Sequence, residues 1–147
     1  MSVKAMNHAF KWLRVPAVAL LALSLNQALA AESFSPPPAD AIPQNEFGDM
    51  VRKGQDYFLH TSQMLPDNVG NSLNCVNCHL DAGRRADSAP MWGAYVLYPA
   101  YRAKNGHVNS LAERLQGCFR FSMNGKAPAA DSEAILAITT YMYWMAS

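Results

Sequence analysis

An all-α fold is what this sequence predicts, on three observations. Apolar residues recur at three- and four-residue steps in three separate stretches of the 147 residues. Helix-capping residues and helix breakers bound those stretches. Between the first and second lies Cys75-Val76-Asn77-Cys78-His79, a spacing that ties a chain to a prosthetic group.

The first helix is expected from about Phe47 to Gln63, because Phe47, Met50, Val51, Gly54, Phe58 and Thr61 fall on one face. Gly54 in mid-helix costs about 1 kcal/mol against Ala, so it is expected to admit a second helix closely. Pro66 ends the pattern. Pro90 to Tyr101, rich in Trp92, Tyr95, Tyr98 and Tyr101, is read as a helical or irregular wrap rather than a strand. The second helix starts at Ser110, where Ser110-Leu111-Ala112-Glu113 makes a capping box. Leu111, Leu115, Cys118 and Phe119 continue it as an apolar stripe, and Asn124-Gly125 is a left-handed stop. The last helix is expected from Asp131 to Met145, capped by Asp131 or Ser132. Ile135, Ile138, Met142 and Met145 face one way, and Leu136, Tyr141 and Trp144 widen the apolar surface.

Residues 1–30 read as an export signal. Lys4, Lys11 and Arg14 precede the apolar run Val15 to Leu25, and Ala28-Leu29-Ala30 is a small-x-small cleavage pattern. The run is shorter than the roughly 20 residues of a membrane span; an uncleaved anchor is the alternative. The mature chain is therefore expected in the periplasm, touching a membrane only through the transient signal. Residues 31–45, with Pro36-Pro37-Pro38, read as an extended linker. Residues 46–147 form one domain. Without the signal, nine basic residues face eleven acidic ones, a net −2. Seven of the nine lie between Arg84 and Lys126 beside only Asp87 and Glu113, a local +5 that attracts anions or an acidic partner. No nucleic-acid partner is expected.

In Cys-x-x-Cys-His the two thiols add across the vinyl groups of one haem, and the histidine binds its iron. Cys75 and Cys78 as a redox dithiol would need a strand–helix alternation around them. As zinc ligands they would need two further donors at suitable spacing. The motif therefore predicts haem c, one copy, covalently attached, with His79 on the iron. By analogy with small c-type cytochromes, the terminal helices are expected to pack together around it. Candidates for the sixth ligand are Cys118, Met123, Met91, Met64, His60 and His107. Methionine is the common choice in electron carriers, which favours Met123 or Met91. Cys118 is the cysteine left over, on an apolar helix face, and a lone exposed thiol is a liability in an oxidising compartment. Arg114, Cys118 and Ser122 stand at i, i+4 and i+8, in line on a continuous helix. An arginine one turn away favours a thiolate.

The sequence resembles the thiosulfate dehydrogenase family, in its N-terminal haem domain. The resemblance runs through Leu65-Pro66, Val69-Gly70-Asn71 and Leu73 to Arg84. It continues through Tyr98 to Arg102, Glu113-Arg114, Cys118-Phe119 and Ser122 to Lys126. It implies a class I-like cytochrome c whose haem is held by His79 and Cys118, at which two thiosulfates join as tetrathionate. Arg114, Ser122 and Arg102 fall where the family places substrate-site residues. Family enzymes carry a second haem domain, whereas one haem motif occurs in this sequence. A single-haem version is expected to pass electrons to a partner cytochrome or a diffusible acceptor. The alternatives are a non-catalytic electron carrier and a haem subunit of a larger sulfur-oxidising complex.

Overall fold

Helix α1 (Glu46–Leu59) begins where the Asn45 side chain accepts from the Gly48 amide at 2.9 Å. In this computed structural model, which describes residues 34–147, its buried face is Gly48, Val51, Gly54 and Phe58. The expected run to Gln63 is broken at His60, which leaves the helical region at φ −125°, ψ 37°. A single turn, α2 (Thr61–Met64), follows in a new direction, with Thr61 fully buried. The hydroxyl of Thr61 is drawn to the cysteine loop, and that tertiary contact accompanies the break. The proposed signal, residues 1–30, lies outside the described residues. Among the described residues no helix is long and apolar enough to cross a membrane.

The C-terminal helix α5 spans Glu133–Met145, with the Ser132 hydroxyl accepting from the Ile135 amide at 3.4 Å. Ile135, Ile138, Tyr141, Met142, Trp144 and Met145 are buried, whereas Leu136 faces solvent, contrary to its expected share in the apolar surface. Helix α5 packs lengthwise on α1. A Cβ on Gly54 would overlap the Ala137 carbonyl, so the glycine is what lets the two backbones touch. Lys53 and Tyr57 of α1 both reach Glu133, at 2.8 and 3.2 Å. Fully burying one Ile, Phe or Met contributes about 1.5–3 kcal/mol. The α1–α5 seam therefore supplies a large share of the burial that offsets the conformational entropy lost on folding.

Between these helices lie α3 (Met91–Leu97), β1 (Ala100–Arg102), β2 (His107–Asn109) and α4 (Leu111–Gly117). The strands pair antiparallel, Ala100 with Asn109, Tyr101 with Val108 and Arg102 with His107. This ribbon corrects the all-α expectation: the fold is mostly helical with one small sheet. Pro99 bars α3 from continuing, and Gly106 at φ +73° closes the turn. The capping box at α4 forms as expected, with the Ser110 hydroxyl accepting from the Glu113 amide at 3.1 Å. The Glu113 carboxylate accepts from the Ser110 amide at 2.9 Å.

After Gly117 the winding widens to a π-helical turn, Cys118–Ser122, closed by Met123 N–H donating to the Cys118 carbonyl at 2.9 Å. At the stop, Asn124 takes the left-handed conformation, at φ +50°. Gly125 serves a different purpose: a Cβ there would overlap the Asn68 carbonyl. The proline-rich segment lies along the domain. Arg84 donates to the Pro36 and Pro37 carbonyls, Arg52 donates to the Pro43 carbonyl at 3.0 Å, and Ile42 packs on the core.

Candidate functional site: the cysteine–histidine cavity

Cys75 opens a 3-10 turn, Cys75–Asn77, that brings the motif's three side chains to one cavity. The turn is pinned by the Asn74 amide donating to the Asn77 side-chain oxygen at 2.6 Å and by His79 N–H donating to the Cys75 carbonyl at 3.0 Å. Asn74 Oδ1 in turn accepts from the backbone and hydroxyl of Ser62 at 2.8 and 3.0 Å. Burial pushes the Cys75 thiol up to about 11, with the Thr61 hydrogen bond opposing.

His79 Nδ1 lies 2.6 Å from the Ala89 carbonyl oxygen. A carbonyl can only accept, so Nδ1 carries the proton and Nε2 keeps a free lone pair. The Phe58 ring, with its centroid 6.0 Å away, packs against the imidazole. Three successive left-handed residues turn the chain after the motif: Asp81, Ala82 and Gly83, at φ 55°, 53° and 83°. The buried Tyr141 hydroxyl donates to the Ala82 carbonyl at 2.8 Å, and Met91 N–H donates to that of Gly83. The C-terminal helix thus holds the shape of the loop that presents His79.

The cavity has about 1010 Å³ of empty space, its open mouth included. Cys75, Cys78, His79, Arg114, Cys118 and Ser122 all line it, so the structure brings six of the seven predicted site residues to one place. The exception is Arg102, which sits half-buried on β1 and does not line the cavity. Arg114 Nη1 donates to Cys118 Sγ at 3.1 Å. Arg114, Cys118 and Ser122 all line the cavity, although a π turn replaces the expected continuous α-helix from Cys118 to Ser122. Of the other proposed iron ligands, Met91 and Met123 are buried in the wall, while His60, Met64 and His107 are exposed and do not line it.

The donor set fits a haem. Two free thiols, an imidazole with its Nε2 lone pair available and a third sulfur share one cavity. Its walls include Leu115, Phe119, Ile138 and Met142. Among the described residues, no group of three or more His, Cys, Asp or Glu side chains could hold a bare metal ion. Thr61 and Ala89, which set Cys75 and His79, were not legible as site residues. Each acts from a distance in sequence, and neither type signals such a role.

The family model described as SoxA/TsdA, cytochrome c domain, matches residues 66–147. The chain belongs to that family. Membership implies haem c in this SoxA/TsdA domain and accords with its mostly helical cytochrome fold. The chain is 58% identical over 112 residues to thiosulfate dehydrogenase of Thiomonas intermedia, an alignment covering 76% of this chain and 36% of that protein. Over 119 residues it is 55% identical to thiosulfate dehydrogenase of Stutzerimonas stutzeri, covering 80% and 39%. It also resembles the solved as-isolated form of thiosulfate dehydrogenase (TsdBA) from Marichromatium purpuratum. There the TM-score is 0.76 at 47% identity, over 80% of this chain and 27% of that one. The chain thus spans little more than a third of the length of the curated relatives it matches.

Proposed function

We propose that this protein is a periplasmic cytochrome carrying one covalently attached haem c, and that it oxidises thiosulfate to tetrathionate. In this reading Cys75 and Cys78 would carry the two thioethers, and His79 Nε2 and Cys118 Sγ would hold the iron. The observation that carries it is the Arg114–Cys118 contact in the cavity that also holds the Cys-x-x-Cys-His side chains.

Joining two thiosulfates forms one S–S bond and releases two electrons. Bound haem supplies the electron sink, accepting one electron at a time. The chain's own residues bind and orient the anions. Arg114 has five N–H donors; with one directed to Cys118 Sγ, the others suit sulfonate oxygens. The Ser122 hydroxyl, at the same cavity, adds a donor. Arg102 contributes positive charge from β1 rather than direct contact. Apolar walls limit water, which strengthens each of these hydrogen bonds. The electrons leave singly, to a partner cytochrome or a diffusible acceptor.

Thiosulfate added to the oxidised, haem-loaded protein should reduce the haem and yield tetrathionate. Arg114→Gln should lower kcat/KM for thiosulfate by about ten- to a hundredfold, the loss expected when a charge-assisted hydrogen bond is removed. Haem reduction is read by absorbance and tetrathionate by ion chromatography. Neither reduction nor tetrathionate would leave an electron carrier without catalysis.

A further inference from the structure

The proline-rich segment is fixed to the domain at two points. At one end Arg84 Nη2 donates to the Pro36 carbonyl at 3.1 Å and to the Pro37 carbonyl. At the other, Arg52 Nη1 donates to the Pro43 carbonyl at 3.0 Å, and a Cβ on Gly48 would overlap that carbonyl. Between them Pro38 holds the polyproline conformation, at φ −60°, ψ 148°, ahead of a 3-10 turn, Ala39–Ala41. Ile42 then packs on the core. Arg84 is also the residue that follows the three left-handed ones, Asp81, Ala82 and Gly83. Its amide donates to the Asp81 carbonyl at 2.9 Å, and its own carbonyl accepts from Trp92 Nε1 at 3.1 Å. Both described hydrogen bonds of the guanidinium leave from Nη2; Nη1 is buried and has no partner among the described residues. If the proline carbonyls withdrew, a part-buried charge would lose its acceptors, which costs more than the bonds themselves contribute. The loop would then have to shift to bring the guanidinium to water.

We infer that residues 36–43 are a strap, locked by Arg84, that holds the left-handed loop in the shape that presents His79. Arg84 is then a positioning residue, acting on the imidazole through the backbone of Asp81, Ala82 and Gly83. It does so in the finished, haem-loaded protein, on the reading above that His79 holds the iron. Support is needed at this loop, because Asp81 and Ala82 carry side chains in a region that glycine alone enters freely. Tyr141 and the Met91 amide hold two of the loop's carbonyls, and the strap, through Arg84, holds its end. Polyproline suits that task. Three successive prolines have little backbone freedom left to lose, so keeping them docked costs little entropy.

The test uses the full chain, exported and loaded with haem, and follows hydrogen exchange in residues 81–85 by mass spectrometry. There the amides of Gly83, Arg84 and Arg85 are bonded to carbonyls of the same loop. Arg84→Gln should speed their exchange about ten- to a hundredfold, the weight of hydrogen bonds from a charged donor. Pro36→Gly, Pro37→Gly and Pro38→Gly together keep every carbonyl but free the strap, and should speed it about three- to tenfold. Exchange in the 100–109 ribbon, which no described hydrogen bond joins to the strap, should stay as in wild type. Arg85→Gln, which removes the neighbouring exposed charge, should change neither. The ferric electron spin resonance g values should shift in Arg84→Gln and in the proline variant, since they report how the imidazole sits on the iron. Combining the two should add little to the larger single effect, because both release one contact. Unchanged exchange at 81–85, an equal rise in the ribbon, wild-type g values, or effects that multiply would overturn the inference. If Arg84→Gln does not accumulate, the proline variant decides alone. Wild-type chain bearing no covalent pigment would defeat the haem reading, while the exchange comparison would still decide the strap.

Discussion

Cys118→Ala should change the ferric absorption and electron spin resonance spectra, raise the reduction potential, and lower tetrathionate formation by at least about a hundredfold. The size follows from what lesser changes do. Removing a residue that merely orients a metal ligand already costs about 10- to 100-fold. A thiolate is an anionic donor that favours ferric iron, so its removal shifts the balance toward the ferrous form. Cys118 is distinguished from the other sulfurs in the cavity by the Arg114 guanidinium 3.1 Å from its Sγ. Met91 and Met123 are buried in the same wall and carry no such donor among the described hydrogen bonds. Either thioether taking the vacated position would keep the iron low-spin, but at a raised potential, which is why both measurements are needed. Spectrum and potential alike unchanged in Cys118→Ala would remove this residue from the iron.

Gly54→Ala should destabilise the haem-loaded protein by about 3 kcal/mol, the upper range for overpacking a core. For a domain of this size that lowers Tm by roughly 10–20 °C. The sign is informative, because on a solvent-facing helix the same change is worth about 1 kcal/mol of added stability. Here the new methyl would overlap the Ala137 carbonyl and stand 2.8 Å from Tyr141 Cβ. A backbone carbonyl has no rotamer to escape into, so α1 and α5 must separate along their whole contact. Tyr141 would move with α5, and with it the hydroxyl that supports the Ala82 carbonyl in the histidine loop. A perturbed haem spectrum should accompany the lost stability. A Tm equal to or above wild type would mean that the two helices do not meet at this glycine.

Much of the fold was legible because its signals are local. The capping box at Ser110 and Glu113 involves residues three apart, and it forms as expected. Ser132 likewise caps the last helix, and Gly54 does meet a second helix. Where the reading missed, a distant partner intervened. The break at His60 goes with contacts from Thr61 and Ser62 to Asn74 and Cys75, a dozen or more residues away. The ribbon at 100–109 is too short for a period-two pattern, since each strand has three residues. The π turn at Cys118 has no composition of its own; its hydrogen bonds shift by one residue while the side chains remain those of a helix.

Taken alone, the sequence determined the chemistry on offer: two thiols and an imidazole at haem-attachment spacing, a third cysteine, and an arginine four residues before it. Covalent chemistry depends on residue identity and spacing, and those are written along the chain. Only the tertiary structure decided which of these groups share a cavity, since Arg102 does not line it while Ser122 does, despite the altered winding. It also decided which tautomer His79 holds, through the Ala89 carbonyl, and which hydroxyl stands by Cys75. Hydrogen bonds act over about 3 Å, and no spacing in sequence tells which distant residues folding will bring that close.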